Sequence, residues 1–361
     1  CTGHTDADEN DLCDICGGSV VVLVDFYAIN DLHGKFCDTD KQPGVDELTT
    51  YLKAREEIDE NVIVLSSGDM WQGSAESNLT KGAIITEWMN EMDFAAMTLG
   101  NHEFDYGMFG CMKLISEAEF PYISANFYHE ADGMRGKNVL DSYTLFEFEN
   151  QTIAFVGATT PESFTKSTPA YFQDEYGNYI YGIAGGEDGS ALASDLQTAI
   201  DSATDAGATV VIGLGHLGID PSSEPWTSKE VIALTSGFDA FIDGHSHSIV
   251  EGEIINDKYG HHVLLTQTGQ YFERIGLMVI DGESGDIATD FIEVSPIESQ
   301  LMNEDGTEAL DDNGEPIFEI VGYELTSDLH SDLSWRSDET VAQVKNEWMT
   351  EIDTQLGTVI A

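Results

Sequence analysis

Five short polar motifs each follow an apolar run, and each carries side chains able to bind a metal ion. They are NDLHG (30–34), GDMWQGS (68–74), GNHEFDYG (100–107), GHLG (215–218) and GHSH (244–247). The donor side chains that they supply are Asp31, His33, Asp69, Asn101, His216, His245 and His247. Imidazole combined with carboxylate suits zinc, manganese, iron or nickel better than magnesium or calcium. Seven donors that include one bridging carboxylate suit two ions about 3.5–4 Å apart, the spacing of two-metal hydrolases.

The spacing within two of the motifs supports this interpretation. Asp31 and His33 are two residues apart, as are His245 and His247. Residues i and i+2 of an extended chain point to the same side, so each pair is expected to reach one ion. Each motif alone is weak, because a single histidine at a strand end is usually a packing or surface residue and Gly-Asp is often a turn. The conjunction of five motifs favours a metal site over five unrelated turns.

The histidine distribution points the same way. Five of the ten histidines lie in these motifs, and the other five lack such settings. We interpret those five as surface residues: His4, His129, His261, His262 and His330.

The elements that position the motifs follow from the apolar pattern. Strands are predicted at 20–29, 61–67, 94–100, 152–158, 209–215, 238–244, 262–269 and 275–281. Several of these runs are almost continuously apolar, which is typical of strands buried on both faces. Amphipathic helices are predicted between them at 45–59, 80–93 and 191–207, the last ending on a glycine suited to a helix C′ position. This alternation predicts an α/β architecture.

The pattern changes after Asp281. Residues 298–318 contain Asp-Gly and Asn-Gly pairs and are expected to form an acidic hairpin. They lack the full ligand spacing of an EF-hand loop. Residues 337–357 predict an amphipathic helix with Ser337 as its N-cap. We expect the segment 336–361 to be a linker towards a C-terminal substrate-binding domain in a longer natural protein.

The charge limits the classes of partner. The chain has 67 acidic and 14 basic residues, for a formal net charge of −53. Such a surface repels the phosphate backbone, so no nucleic-acid binding is expected. Solubility in a salty or cation-rich medium is the simplest interpretation of the charge. The sequence has no apolar run of the roughly 18 residues that a membrane-spanning helix needs.

The amino-terminal segment and the cysteines favour an oxidising, extracellular setting. Residues 1–18 form a polar, acidic leader or tether that opens with Cys1, as in a bacterial lipoprotein after signal-peptide removal. A lipid on Cys1 would be the one membrane attachment that we expect; the alternative is a chain boundary without a lipid. Four further cysteines remain: Cys13, Cys16, Cys37 and Cys111. The CxxC pair lacks the second pair of a zinc ribbon, so a local disulfide or free thiols are expected. Cys37 and Cys111 would form a bridge if their loops are neighbours.

As an ordered set, the five motifs resemble those of the calcineurin-like metallophosphoesterases. The resemblance is greatest to the secreted 5′-nucleotidase branch, and it extends over VGATTPES (156–163) and TGQYFERIG (268–276). It runs from about Val20 to Ile280. It implies a four-layer α-β-β-α sandwich over residues 19–335, with two mixed sheets flanked by helices and a two-metal site at the strand ends. Gly215 departs from the family pattern, which commonly has Thr or Ser before this histidine.

The resemblance also implies roles. Asp31, His33 and His247 would bind a first divalent ion, and Asn101, His216 and His245 a second. Asp69 would bridge the two ions, which would be zinc, manganese, iron, nickel or cobalt. His102 and Asp105 match the catalytic dyad, in which a protonated imidazole stabilises the phosphoryl group. Glu103 has no assigned role and remains either a supporting residue or an ion-pair partner.

The implied activity is release of phosphate from nucleotides by a hydroxide that bridges the metal ions. Within enzymes, the alternatives are a 2′,3′-cyclic-nucleotide phosphodiesterase and a nucleotide-sugar hydrolase. The alternative outside enzymes is a catalytically idle cell-surface binding protein with the same fold.

Overall fold

The computed structural model describes residues 23–36, 44–56, 62–148, 151–282, 284–303, 307–310 and 313–326. The strands are β1 Leu23–Ile29, β2 Val62–Ser66, β3 Ala96–Thr98, β4 Tyr122–Ile123, β5 Phe127–Ala131, β6 Met134–Asn138, β7 Tyr143–Glu147, β8 Thr152–Thr159, β9 Tyr181–Ile183, β10 Val210–His216, β11 Ala240–Ile242, β12 Ile249–Asn256, β13 His262–Thr268, β14 Arg274–Asp281, β15 Ile287–Gln300 and β16 Phe318–Thr326. The helices are α1 Val45–Glu56, α2 Ala75–Thr80, α3 Ala83–Glu91, α4 Gly107–Glu117, α5 Ser163–Lys166, α6 Ser190–Asp205 and α7 Ser228–Leu234, with 3₁₀ turns at His102–Phe104, Pro169–Phe172 and Pro221–Ser223.

Two mixed sheets carry most of the strands. The first has the order β16-β15-β14-β1-β2-β3-β4, in which the β1 to β4 half is parallel and the β14 to β16 half is antiparallel. The second has the order β12-β13-β11-β10-β8-β7, with parallel pairing from β13 to β8 and antiparallel edges. A small antiparallel sheet, β6-β5-β9, lies beside them.

Three core clusters show how the layers stack. Alternate residues of β1 point in opposite directions, as expected for a strand. Phe26 joins Phe155 of β8 and Ile212 of β10 in a cluster between the two sheets. Tyr27 belongs instead to a cluster that includes Trp88 of α3. The outer face of the second sheet packs against α6 and α7. This arrangement confirms the predicted four-layer α-β-β-α sandwich.

Most of the predicted elements form. Each of the eight predicted strands overlaps an observed strand, and the three helices predicted at 45–59, 80–93 and 191–207 are present with slightly different ends. Gly207 follows α6 with a φ of 107°, which agrees with its predicted place after the helix. His129, His261 and His262 are exposed or partly exposed, in agreement with the prediction. The short helices α2, α4 and α5 and the strands of the small sheet were not predicted.

The acidic hairpin is longer than predicted. Strands β15 and β16 pair from Glu293 opposite Thr326 to Gln300 opposite Phe318. Within the acidic segment between the two strands, isolated antiparallel bridges pair Met302 with Glu308 and Leu310 with Pro316. The segment therefore extends an edge of the first sheet and does not form a separate unit.

Several predictions fall outside the described residues. They are the leader 1–18, the pairing of Cys13, Cys16 and Cys37, His4 and His330, and the linker helix at 337–357. Cys111 is the one cysteine that the structure describes, and its side chain is buried. No helix among the described residues is long and apolar enough to span a membrane.

Phe241 fills the space next to Gly215, the position that departs from the family pattern. A Cβ on Gly215 would lie 2.4 Å from Cε1 of Phe241, and a Cβ on Gly213 would lie 2.2 Å from Cδ2 of the same ring. Phe241 is fully buried in the cluster that covers the second sheet. Two glycines of β10 thus make room for one aromatic ring of β11.

We expect Gly215→Ser to destabilise the fold by about 1–3 kcal/mol, because the added side chain forces the Phe241 ring to move in a packed core. Phe241→Leu in the same chain should recover part of that loss. The free energy of unfolding of the wild type, both single variants and the double variant, measured in denaturant, gives the coupling between the two positions. Additive losses would contradict the proposed contact.

Candidate metal centre

The site lies where strand ends from the two large sheets meet. Asp31, His33, Asp69 and Asn101 follow β1, β2 and β3 of the first sheet, whereas His216, His245 and His247 end β10 or follow β11 of the second. Within the described part of the chain, three groups of side chains have ligand atoms within 4.8 Å of one another: Asp31, His33 and His247; His33, Asp69 and His102; and Asp69, His216 and His245. Residues more than 200 positions apart in the sequence are thereby brought to one site.

The backbone conformation of the donor residues differs from the predicted one. We predicted that Asp31 and His33 share a side because they continue an extended strand, but β1 ends at Ile29 and both residues have a φ of 51°. His245 and His247 have φ values of 80° and 51°, and Asp69 has 57°. Five of the seven donors are therefore in the left-handed region, which Asp and Asn tolerate better than most residues and in which His is also enriched. Strand alternation was the wrong reason for their convergence.

Hydrogen bonds across the site join the two sheets. Oδ2 of Asp31 accepts the backbone N–H of His245 at 3.0 Å. In the other direction, Nδ1 of His216 donates to the carbonyl of Ser67 at 2.6 Å. These bonds fix the relative position of the loops that carry the donors.

Several buried atoms of the predicted ligands make no hydrogen bond. Among the described residues, these atoms are Oδ1 of Asp31, Oδ1 of Asn101 and Nε2 of His216. Two of them lie near an oppositely charged partner without forming a hydrogen bond: Oδ1 of Asp31 is 3.3 Å from Nε2 of His247, and Nε2 of His216 is 3.0 Å from Oδ2 of Asp69. A buried polar atom without a partner costs free energy, and a native structure normally satisfies it. All three atoms belong to predicted metal ligands, so the residues present fit a bound cation.

The ring nitrogens of His33 and His247 are also arranged as expected for metal ligands. Nδ1 of His33 is 3.2 Å from the carbonyl of Gln72, so the N–H lies on that side and the lone pair of Nε2 faces the site. That Nε2 is only 3.0 Å from Nε2 of His247. Burial lowers the pKa of His33, although the charges of Asp69 and Asp31 oppose this effect. A neutral His33 is suited to ligate an ion.

Asp69 lies at the centre of the cluster. Its Oδ2 is 3.0 Å from Nε2 of His216, and its Oδ1 accepts the backbone N–H of His102 at 2.7 Å. Burial opposes charge on both groups, but the attraction between them lowers the pKa of Asp69 and raises the pKa of His216. Asp69 therefore remains a carboxylate placed between the donors of the two sheets.

Glu103, whose role the sequence left open, clamps two of the ligand loops. Its side chain is fully buried. Oε2 accepts the backbone N–H groups of Asp69 and Gly100 at 2.8 Å and 2.7 Å, and Oε1 accepts that of Met70 at 2.8 Å. Burial and the charge of Asp69 raise the pKa of Glu103, while its backbone hydrogen bonds lower it. Of the two roles left open, Glu103 has the supporting one.

Glu162 is a site residue that the sequence analysis did not identify. Its Oε2 is 2.8 Å from Nε2 of His245 and accepts the hydroxyl of Ser223 at 2.6 Å. Because Nε2 of His245 is engaged by Glu162, Nδ1 is the nitrogen left for an ion. A carboxylate that holds the second nitrogen of a ligating histidine fixes its tautomer and ring orientation. The motif VGATTPES contained this residue, but nothing in the sequence paired it with a histidine 83 positions away.

His102 and Asp105 form a hydrogen-bonded pair at the edge of the cluster. Nδ1 of His102 is 2.6 Å from Oδ2 of Asp105, whose other oxygen accepts the hydroxyl of Ser167 at 2.8 Å. The His102 ring centroid is 5.1 Å from that of His33, and 29% of the His102 side chain is exposed. Burial opposes protonation of His102, but the hydrogen bond with Asp105 and the nearby carboxylates raise its pKa to about 9. At neutral pH the imidazolium form is therefore favoured.

Comparison with known proteins agrees with this geometry. Residues 24–248 match the calcineurin-like phosphoesterase family. The human 5′-nucleotidase is 27% identical over 239 residues, which cover 61% of this chain and 37% of that protein. The snake venom 5′-nucleotidase of Crotalus adamanteus is 27% identical over 224 residues, covering 60% of this chain and 34% of the venom protein. The chain thus spans little more than a third of the length of these relatives.

Solved structures share the fold. A 5′-nucleotidase precursor from Thermus thermophilus matches with a TM-score of 0.62 and 18% identity, over 92% of this chain and 59% of that one. A calcineurin-like phosphoesterase from Bacillus subtilis matches with a TM-score of 0.62 and 19% identity, over 95% of this chain and the whole of that one. The family match covers well over half of the sequence and includes all seven donors. The chain belongs to the calcineurin-like phosphoesterase family.

Proposed function

We propose that this chain is a metal-dependent phosphoester hydrolase that releases phosphate from nucleotides. The observation that carries the proposal is a cluster of ligand atoms from both sheets around Asp69, several of which are buried and make no hydrogen bond. The substrate class comes from the relatives named 5′-nucleotidase, which are much longer than this chain.

The residues divide into two groups around the bridging carboxylate. In the proposal, Asp31, His33 and His247 hold one divalent ion, and Asn101, His216 and His245 hold the other. Asp69 contributes to both. Two such ions would generate a nucleophile from water at neutral pH and offset the negative charge of the phosphoryl group. Glu103 and Glu162 hold the loops and one histidine in position.

His102 is the proposed catalytic residue of the chain itself. Its imidazolium would donate a hydrogen bond from Nε2 to a phosphoryl oxygen, because Nδ1 is occupied by Asp105. Charge on that oxygen increases in the transition state, so the contact strengthens as the reaction proceeds. Asp105 keeps the ring oriented and protonated.

We further propose that the protein acts outside the cell. Relatives from snake venoms support this location. Protease treatment of intact cells tests the proposal, since a protein that resists the protease until the cells are lysed would be intracellular.

Metal binding is the first test of the function. We expect purified wild-type protein to bind two divalent ions per chain and to hydrolyse p-nitrophenyl phosphate and nucleoside monophosphates with manganese or zinc. A chelator should abolish this activity. Asp69→Asn removes the shared charge, so both ions should bind more weakly, as measured by elemental analysis after dialysis. Full activity in the presence of the chelator, or unchanged metal content in the variant, would contradict the proposed centre.

His102→Ala should lower kcat by about 10²–10⁴, because the variant loses the hydrogen-bond donor at the phosphoryl oxygen. Its metal content should equal that of the wild type. His261→Ala is the matched control, since the exposed His261 lies 3.2 Å from the buried carboxylate of Asp257, in a His–Asp pair outside the cluster. If His102→Ala turns over as fast as His261→Ala, the assigned role is wrong.

Glu162→Ala should weaken the binding of one ion by about 10- to 100-fold, because His245 loses the carboxylate that orients it. Activity should return at high metal concentration, and Glu162→Gln should be affected less than Glu162→Ala. Ser223→Ala removes the neighbouring hydrogen bond alone and serves as the control. Calorimetric titration of the metal-free proteins measures the affinities. An activity loss that excess metal does not correct would mean that Glu162 acts other than through His245.

A further inference from the structure

A lysine and a tyrosine stand together at the edge of the candidate metal centre. The ring centroid of Tyr271 is 5.6 Å from that of His33 and 6.3 Å from that of His247. The ammonium of Lys35 lies 5.0 Å from the same Tyr271 ring, within the range of a cation–π contact. Among the described residues, no carboxylate lies within 4.0 Å of this ammonium. The cation is therefore held by an aromatic ring and not neutralised by an acid in that part of the chain.

The backbone holds Tyr271 in a costly conformation. Tyr271 and Phe272 have φ values of 56° and 58°, a region that bulky side chains rarely adopt. Phe272 is buried, with its ring 6.0 Å from that of Trp88. The backbone N–H of Tyr271 donates to the carbonyl of Asp31 at 3.1 Å. Strain of this kind persists where the surroundings enforce it, and it occurs often at ligand-binding positions.

Both residues are tied to the loop that carries two metal-ligand candidates. Lys35 is two residues after His33, and Tyr271 is bonded to the backbone of Asp31. Asn30 adds a second link, since its side-chain amide donates to the carbonyl of Gly269 at 2.8 Å. The loop that carries Lys35 is therefore held against the segment that carries Tyr271.

We propose that Lys35 and Tyr271 form an anion-binding subsite that receives a second phosphate of the substrate, outside the phosphoryl group that is cleaved. This inference rests on the proposed function and specifies its substrate class: nucleotides with a phosphoanhydride, such as nucleoside diphosphates and nucleotide sugars. In a nucleoside monophosphate the group beyond the scissile phosphate is uncharged and gains nothing from a cation there.

The distribution of charge supports separate binding sites for the scissile phosphoryl group and for a second phosphate. The scissile phosphoryl group would be bound by the metal ions and His102. Lys35 is not part of that set; its ammonium contacts the Tyr271 ring, and this ring neighbours those of His33 and His247. The side chains that otherwise surround the centre include the carboxylates of Asp31, Asp69, Glu103, Asp105 and Glu162, which do not attract a second anionic group. Tyr271 restricts the flexible lysine, so less entropy is lost when it binds the anion.

Steady-state kinetics with paired substrates test the subsite. The ratio of KM for ADP to KM for AMP, with the same metal, is the measured quantity, because a general loss of activity cancels in it. Lys35→Ala should raise this ratio about tenfold, as expected for loss of a hydrogen bond to a charged group. Lys35→Arg should preserve most of the preference. Tyr271→Leu should raise the ratio by a smaller factor, and Tyr271→Phe, which keeps the ring, should change it least.

The chain offers a matched control in Lys258→Ala. The ammonium of Lys258 lies 5.2 Å from the ring centroid of Tyr259, so this variant removes the same charge from the same kind of contact elsewhere. Its KM ratio should equal that of the wild type. A change of less than about twofold in Lys35→Ala, or an equal change in Lys258→Ala, would overturn the subsite.

A binding measurement separates this inference from the proposed function. Calorimetry of the metal-loaded proteins with methylenediphosphonate and with inorganic phosphate should show that Lys35→Ala weakens the diphosphonate far more than phosphate. If the wild type hydrolyses no phosphoester, the proposed function is wrong. The affinities of the wild type and Lys35→Ala for the two ligands still test the subsite in that case. Equal weakening of both ligands would overturn the subsite even in an active enzyme.

Discussion

Buried negative charge at the junction of the two sheets is the constraint that the rest of the site accommodates. Asp31, Asp69 and Glu103 are almost completely buried, and burying a carboxylate without compensation is very costly. Glu103 is compensated by three backbone N–H groups, and one oxygen of Asp31 by the N–H of His245. The other oxygen of Asp31, Oδ1 of Asn101 and Nε2 of His216 are buried and make no hydrogen bond. Bound cations would complete this balance, so metal affinity and fold stability should be coupled.

The same constraint accounts for the unusual backbone. Left-handed conformations cost about 1–3 kcal/mol each for residues other than glycine, and five candidate ligands adopt them. They persist because the loops pack directly on each other: a Cβ on Gly244 would lie 2.8 Å from Nδ1 of His216, and one on Gly100 would lie 2.2 Å from Oδ1 of Asp69. Glycine at these two positions allows the backbone to come close to the side chains of His216 and Asp69. The cost is local to the site, and the hydrophobic layers around the sheets supply the stability that offsets it.

The fold could be predicted from the sequence where strands are buried on both faces, as in β1, β8 and β10, because their residues are almost all apolar. Strands β6 and β12 were missed because they are largely exposed, and β5 because only its first residue is buried, so all three lack that signal. The donor residues could be predicted from the sequence because only a few side-chain types bind metal ions. The left-handed backbone conformation of five donors could not be predicted from the sequence, because strand periodicity implies an extended backbone at those positions. Glu162 needed a partner 83 residues away, which only the tertiary structure supplies.

A formal charge of −53 would repel nucleotides if all of it acted at the site, but the charges near the site are arranged differently. Surface charges beyond about 8–10 Å are screened at physiological salt, so only the neighbourhood of the centre matters. There the carboxylates point inward or are hydrogen-bonded: Asp69 faces His216, Asp105 holds His102, and Glu162 holds His245. With two divalent ions bound, the positive charge of the ions would exceed the negative charge of the two aspartates among the donors. An approaching phosphate could then be attracted by the imidazolium of His102 and the ammonium of Lys35, both of which belong to partly exposed residues. The acidic surface can therefore serve solubility without opposing an anionic substrate.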